Sequence, residues 1–184
     1  ALNDRPAVLI DCDLRKPRLH TIFQVDSLPG LSNYLTGNAT LEEILRPTII
    51  PNLTVICAGA RPPSPINLLN SEIFKELLDQ LRQRFKHIII DTPPVLGFAD
   101  ARFVSMLADG VLLVTKYNST HKRAGYLANQ LLGQAPVLGA VLNAVGDLRF
   151  PTVQLENVYI LPGIPQIFEA KLSALLGRFA TDPY

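Results

Sequence analysis

Residues 88–95 read IIIDTPPV, a run of three β-branched apolar residues that ends on a carboxylate, a threonine and two prolines. A continuous apolar run of this kind is typical of a strand covered on both faces of a parallel sheet. A carboxylate is almost never fully buried unless it is paired or binds a metal ion. We therefore expect Asp91 to lie where this strand opens into a site.

Other strand-length apolar runs recur on both sides of this one, at residues 7–11, 53–57, 110–115 and 137–143. Helix-like segments alternate with them. The clearest are residues 71–85, with Ser71 as a candidate N-cap and Ile73 on the apolar face, and residues 120–132, with one apolar side that includes Leu127, Ala128, Leu131 and Leu132. This alternation predicts an α/β fold in which a mainly parallel sheet carries helices on both faces. Such sheets bind their ligands at the carboxyl ends of the strands.

The segments between these elements are rich in turn-forming residues. Residues 27–45 predict a surface excursion with one or two short helices, and residues 59–66 are too rich in proline for regular structure. The pattern weakens beyond residue 145, where we expect a late strand followed by a helix at 166–176.

The composition limits the class of protein. A chain of 184 residues with 48% hydrophobic residues fits one domain with a single core. Its 17 Lys and Arg nearly balance its 16 Asp and Glu, so the overall charge gives no reason to expect a nucleic-acid partner. Cys12 and Cys57 lack metal-site spacing and are expected to be reduced structural thiols in a cytoplasmic protein. No apolar stretch is long enough to span a membrane.

Two of the predicted strands end in an acid. Residues 7–11 end on Asp11 and residues 87–91 end on Asp91. If the two strands are parallel neighbours, both carboxylates reach the same edge of the sheet, where they suit a magnesium ion that also binds phosphate oxygens. Either residue alone would be read more readily as a helix cap or a turn residue. It is the pair that favours a site.

The residues after Asp11 bring further charges to the same place. Asp13 could orient or deprotonate a hydroxyl, or it could form a simple Asx-turn. Arg15, Lys16 and Arg18 could balance phosphate charge, or they could form a solvated basic turn. Asn143, at the end of another predicted strand, could be a plain turn residue, and Thr92, Pro93 and Pro94 could be only a rigid strand exit.

Several segments in order resemble one family. VLIDCDLRKPRLHTIF (8–23) resembles the Walker A′ segment, and FKHIIIDTPPVLGFADA (85–101) the Walker B segment, of bacterial tyrosine kinases, or BY-kinases, of the MinD/ParA group of P-loop ATPases. We place Walker A′ at residues 7–18 and Walker B at 87–95. The resemblance covers residues 7–145 and implies a P-loop NTPase-like kinase domain over the whole chain, 1–184.

The resemblance implies roles for individual residues. Asp11 and Asp13 match the two A′ acids, which organise magnesium and activate the attacking tyrosine hydroxyl, and Arg15 matches the A′ arginine. Asp91 matches the Walker B acid, so Asp11 and Asp91 are the expected metal ligands. Asn143 matches a position near the nucleotide base. The implied cofactors are ATP and Mg²⁺, and the implied reaction is phosphoryl transfer to protein tyrosine.

One family feature is missing from the sequence. No G-x-x-x-x-G-K-[ST] motif occurs in the 184 residues, so the strand, loop and helix of Walker A are absent. Either the chain is part of a longer protein, which we favour, or the loop has been lost. We expect this polypeptide alone to bind ATP poorly, and we expect an uncovered sheet edge that makes it poorly soluble or dependent on a partner.

The resemblance also implies a biological setting. We expect a tyrosine autokinase domain that regulates exopolysaccharide or capsule polymerisation and export. Its partner would be a membrane-embedded copolymerase that controls chain length, or a fused domain of that kind, at the inner face of the plasma membrane. The full-length form is expected to be a homo-oligomer. Two alternatives stay open: a MinD/ParA-like ATPase switch, and a non-catalytic interaction domain. Tyr159 and Tyr184 are the late tyrosines, and the phosphoacceptor is in doubt.

Overall fold

The predicted α/β architecture is present in a computed structural model of the chain, which describes residues 6–116, 122–143 and 158–162. In chain order the described elements are β1 (Ala7–Asp11), α1 (Leu19–Phe23), α2 (Leu31–Leu35), α3 (Leu41–Ile44), β2 (Arg46–Pro47), β3 (Leu53–Ile56), α4 (Pro65–Leu69), α5 (Glu72–Arg84), β4 (His87–Thr92), α6 (Asp100–Ser105), β5 (Val111–Lys116), α7 (Lys122–Leu132), β6 (Val137–Asn143) and β7 (Val158–Pro162). Within these ranges, no helix is both long and apolar enough to cross a membrane.

The strands form a mainly parallel sheet. Five of them are hydrogen-bonded in the order β2-β3-β1-β4-β7, and β5 pairs with β6. The short β2 is antiparallel to β3, and the other pairings are parallel. β7 also lies alongside β5, which brings the β5–β6 pair next to the larger sheet. Parallel neighbours require crossover connections, and the helices between the strands provide them.

The late strand corrects one expectation. Far from being uncovered, the edge of β4 that faces away from β1 pairs with β7, from Ile88 opposite Val158 to Thr92 opposite Pro162. The reason is that an apolar segment late in the sequence returns to this edge of the sheet. The expectation of poor solubility stays a prediction, and the helix expected at 166–176 lies outside the described residues.

Both faces of the sheet are covered, but unequally. On one face, Val8 and Ile10 of β1 belong to a large core with side chains from α2, α3, α5, α6 and α7. On the other face, Leu9 packs in a smaller cluster with Leu19 of α1. Because side chains alternate along a strand, Asp11 follows Leu9 onto the face that α1 covers. The start of α1 therefore lies on the same side of the sheet as the Asp11 carboxylate.

The helices agree with the predictions from the sequence, with local exceptions. Ser71 caps α5 as predicted, because its Oγ accepts a hydrogen bond from Phe74 N at 3.2 Å. Ile73 was predicted to be on the apolar face of α5 but is exposed. The proline-rich stretch was expected to be irregular, yet α4 begins at Pro65, where a proline suits the first turn of a helix. Both cysteines are buried free thiols, as predicted.

A close backbone contact holds the start of α2 against the loop after β3. Leu31 N donates to Cys57 O at 2.7 Å, and Ser32 N donates to Ala58 O at 2.9 Å. A Cβ atom at Gly30 would lie 2.5 Å from Cys57 O and would also overlap Gly59 N. Only glycine fits at position 30, since both obstacles are backbone atoms.

Gly30→Ala should lower the free energy of unfolding by about 1–3 kcal/mol, because two backbone segments must move apart. Gly125→Ala is the control: this glycine lies within α7 with nothing within 4 Å of the added Cβ, so the change should stabilise by about 0.5–1 kcal/mol. Urea unfolding of both variants measures the difference. A Gly30→Ala chain as stable as the parent would contradict the close contact.

Candidate active site at the strand ends

Asp11 and Asp91 lie side by side at the ends of two neighbouring strands. β1 and β4 are parallel, and Asp11 is the register partner of Asp91. Cys12 N donates to Asp91 O at 2.8 Å, so the strand pairing continues one residue beyond β1. The expected convergence of the two acids at one edge of the sheet is therefore confirmed. Their roles in chemistry stay predictions.

The Asp11 carboxylate is fully buried and hydrogen-bonded to backbone N–H groups. Its Oδ2 accepts from Arg18 N at 3.0 Å and from Leu19 N at 3.1 Å, and its Oδ1 accepts from Asp13 N at 3.2 Å. Because α1 begins at Leu19, Asp11 has the capping role that was its alternative interpretation. Each carboxylate oxygen has two lone pairs, so this role leaves capacity for a metal ion.

Burial disfavours the charged form of both acids. It raises the pKa of Asp11 from 3.8 to about 6, although the N–H groups of Leu19 and Arg18 act in the opposite direction. It also raises the pKa of Asp91 well above 3.8, and the negative charges of Asp11 and Asp13 add to the effect. Two adjacent carboxylates whose charged forms are disfavoured by burial are a donor set that a divalent cation would stabilise.

The donor set fits magnesium better than zinc. Within residues 6–116, 122–143 and 158–162, no group of three or more His, Cys, Asp or Glu side chains could hold a metal ion. Structural and catalytic zinc sites use three or four such ligands, whereas Mg²⁺ takes one or two carboxylates and completes its shell with water and phosphate oxygens. Asp11 and Asp91 fit the second pattern.

The raised pKa of Asp11 predicts a pH-dependent stability in the absence of divalent metal. Because the folded chain binds this proton more tightly than the unfolded chain, the stabilisation is complete below pH 4 and is lost as pH rises through about 6. The loss for Asp11 alone is about 3 kcal/mol. Urea unfolding between pH 4 and 7 measures it, and Asp91→Asn should show a smaller fall. An unfolding free energy that stays constant or rises over this range in the parent would contradict the prediction.

The loop after β1 is ordered by its own acid. Asp13 Oδ1 accepts hydrogen bonds from Arg15 N at 3.2 Å and Lys16 N at 3.0 Å, so the Asx-turn that was one of its two interpretations is present. Asp13 is only partly buried, which leaves its carboxylate accessible at the strand end. Lys16 and Arg18 are exposed, as a solvated basic turn would have them.

Asn143 ends β6, where it is the register partner of Lys116 at the end of β5. Its predicted place at a strand end is therefore confirmed. The structure does not describe its side chain, and contact with a nucleotide base stays a prediction.

Sequence reasoning assigned no role at the site to three residues that lie near it, Phe98, Asp100 and Thr92. Arg15 is paired with Asp100, the first residue of α6, and Phe98 lies against the Arg15 guanidinium. Thr92 was interpreted only as part of a strand exit, yet its buried hydroxyl has no hydrogen-bond partner among the described residues. An acid at the head of a helical segment was the one available indication for Asp100.

Several curated relatives of the chain are named as tyrosine-protein kinases. It is 39% identical over 147 residues to the tyrosine-protein kinase ptk of Acinetobacter johnsonii, and 34% identical over 145 residues to the tyrosine-protein kinase YwqD of Bacillus subtilis. It is 36% identical to the putative tyrosine-protein kinase EpsB of Ralstonia solanacearum over all 184 residues, which extends beyond the resemblance at 7–145. These alignments cover 79%, 78% and 100% of this chain, but only 20%, 61% and 22% of the relatives. No protein-family model matches the chain.

Solved structures agree with the sequence relatives. The kinase domain of VpsO superposes with a TM-score of 0.73 at 35% identity, covering 78% of this chain and 72% of that one. The kinase domain of the Escherichia coli tyrosine kinase ETK gives 0.75 at 31% identity, covering 83% and 61%. The cell division ATPase MinD of Pyrococcus furiosus gives 0.63 at 26% identity, covering 77% and 60%. With its acids at the ends of two adjacent parallel strands, the chain belongs to the bacterial tyrosine kinase family, whose fold is that of the MinD-like P-loop ATPases.

Proposed function

We propose that the polypeptide containing this chain transfers a phosphoryl group from ATP to protein tyrosine. The observation that carries the proposal is the register of Asp11 with Asp91 at the carboxyl edge of the sheet, where parallel sheets bind ligands. Phosphoryl transfer is catalysed mainly by positioning and by stabilisation of charge. A buried acid, Asp11, and a half-buried acid, Asp91, on adjacent paired strands suit that requirement.

Each site residue has a role in the proposal. Asp11 and Asp91 would hold Mg²⁺, and Asp13, which lies partly exposed beside them, would accept the proton of the acceptor hydroxyl. Arg15 stabilises charge on the transferred group, and Asn143 lies near the nucleotide base. Bound Mg²⁺ would neutralise phosphate charge at the strand ends.

The activity is proposed for a polypeptide that also supplies a phosphate loop. The 184 residues contain no G-x-x-x-x-G-K-[ST] motif, so the backbone cradle and the lysine for the β- and γ-phosphates are not among them. Support for the kinase activity comes from the names of the relatives, of which this chain spans about a fifth to three fifths.

The biological setting belongs to the same proposal. We propose that the polypeptide regulates exopolysaccharide or capsule polymerisation and export, as a homo-oligomer at the inner face of the plasma membrane. A membrane-embedded copolymerase, as partner or fused domain, would hold it there. The support is the resemblance of the Walker A′ and Walker B segments to kinases of this type.

A nucleotide-controlled assembly switch is the second candidate. The likeness to MinD, at 26% identity and a TM-score of 0.63, favours it. The residues that follow the two acids, DLRKP after Cys12 and TPPVLGFADA after Asp91, resemble the kinase branch more closely. We therefore rank phosphoryl transfer first.

Phosphotyrosine formation by the longest natural polypeptide that contains this chain, with ATP and Mg²⁺, tests the proposal. We expect transfer to tyrosine, detected by mass spectrometry, that vanishes when Asp11 and Asp91 are both changed to asparagine. Asp79→Asn, at an exposed acid paired with Arg82 on α5, is the control and should keep full activity. ATP hydrolysis without transfer would favour the switch, and failure to bind nucleotide would favour an interaction domain.

A further inference from the structure

An ion pair that uses two guanidinium nitrogens joins the loop after β1 to the start of α6. Arg15 Nε donates to Asp100 Oδ2 at 3.2 Å, and Arg15 Nη2 lies 3.2 Å from Oδ2 and 3.4 Å from Oδ1. The Asp100 side chain is 1% exposed, whereas that of Arg15 is 32% exposed. Paired contacts between a guanidinium and a carboxylate fix orientation as well as distance.

An aromatic ring fixes the same guanidinium from its face. The Phe98 ring centre lies 4.6 Å from Arg15 Cζ, within the range of a cation–π contact. Phe98 and Asp100 are two residues apart, so one short segment holds both the edge and the face of the Arg15 group. We call the contact of Arg15 with Phe98 and Asp100 the clasp.

The clasp connects the loops that follow the two acidic strand ends. Arg15 lies two residues after Asp13 and its N–H donates to that carboxylate, while Asp100 begins the helix nine residues after Asp91. Residues 12–18 and 93–99 are thereby joined across the carboxyl edge of the sheet. The spacing of Asp13 from Asp91 then depends on a contact outside both strands.

The pair also limits what Arg15 can bind. Asp100 engages Nε and Nη2, so Nη1 is the guanidinium nitrogen that it leaves for another acceptor. An arginine held in this way presents the two N–H donors of Nη1 in a fixed direction, which suits charge stabilisation in a transition state better than flexible capture of a ligand.

We infer that Asp100 is a positioning residue of the candidate active site, which acts through Arg15 by aligning its free nitrogen and joining the two loops. The inference rests on the proposed function where it concerns the reaction. It rests on the Arg15–Asp100–Phe98 geometry alone where it concerns the loops.

The kinetic test uses the longest natural polypeptide with Asp100→Asn, which keeps the size of the side chain but removes its charge. Because the lost interaction serves the transition state, kcat should fall by about 10- to 100-fold while KM for ATP changes by less than about threefold. Asp100→Glu, which keeps the charge, should recover part of kcat, and Asp79→Asn should match the parent. If Asp100 acts through Arg15, Asp100→Asn should have little further effect in an Arg15→Lys background. A kcat within twofold of the parent, or losses that simply add, would overturn the inference.

Hydrogen exchange followed by mass spectrometry tests the clasp without any activity. Asp100→Asn and Arg15→Lys should each speed exchange in residues 12–18 and 93–99, and Asp79→Asn should leave both loops unchanged. If the parent makes no phosphotyrosine but the exchange changes as expected, the proposed function fails and the clasp stands. Unchanged exchange in Asp100→Asn would overturn the inference even in an active kinase.

Discussion

Asp91→Asn should reduce phosphotyrosine formation by about 100- to 1,000-fold in the longest natural polypeptide that contains this chain, a loss typical of removing one preorganised charge-stabilising group. Asparagine has nearly the same shape as aspartate, but it binds Mg²⁺ far less well because it carries no charge. Strand β4 should be unaffected, since its backbone pairing with β1 and β7 does not involve the side chain. Phosphopeptide quantification over a range of Mg²⁺ concentrations measures the effect.

The same change should make the metal-free protein more stable at pH 7. Burial and the charges of Asp11 and Asp13 raise the pKa of Asp91, so its charged form destabilises the folded state. Lower activity combined with higher stability is what a functional acid predicts, whereas an acid kept for structure would lose both. Thermal unfolding with EDTA at pH 7 decides between them. Activity within threefold of the parent, or a lower melting temperature, would contradict this prediction.

Arg15→Ala should have the largest effect on stability among single surface-loop changes, lowering the free energy of unfolding by about 3 kcal/mol. The reason is Asp100, which is almost fully buried and forms its ion pair with Arg15. Removing the guanidinium leaves a buried carboxylate without compensation and also exposes the Phe98 ring that it covers. Urea unfolding of the 184-residue chain measures the loss.

Two comparisons isolate the cause of that loss. Arg84→Ala removes an arginine whose ion pair with Glu42 is exposed on both sides, and it should cost only about 0.2–1 kcal/mol. Asp100→Asn, introduced into the Arg15→Ala chain, removes the uncompensated charge and should restore part of the stability. If Arg15→Ala and Arg84→Ala cost the same, the buried pair would not have the assigned importance.

Much of the architecture could be predicted from local sequence because the strands are continuous apolar runs. The boundaries predicted for β1 and β6 are those of the structure, and the other predicted strands are displaced by one residue at most. α7 shows the limit of periodicity. Leu127 and Leu131 were expected on its buried face but are exposed, because burial depends on which neighbours cover the helix. Ala128 and Leu132, on the same predicted face, are buried.

The candidate site, like the fold, could be predicted from the sequence only in part. Strand endings and chemical type were enough to select Asp11 and Asp91, because parallel strands bring their carboxyl ends to one edge. The partner of Arg15 could not be predicted, since Asp100 lies 85 residues away along the chain and has the appearance of an ordinary first-turn acid. For Thr92 the sequence predicts only a place in the rigid strand exit. The structure adds that its buried hydroxyl has no hydrogen-bond partner among the described residues.

By itself, the sequence determined the α/β class, the two acidic strand ends and the family, because apolar runs, helical periodicity and ordered motifs are local properties of the chain. Only the tertiary structure decided that Asp11 also caps α1, that β7 covers the edge of β4, and that Arg15 is held by Asp100 and Phe98. Each of these depends on the distance between segments that are separated along the chain, and that distance is fixed by packing of the whole sheet with its helices.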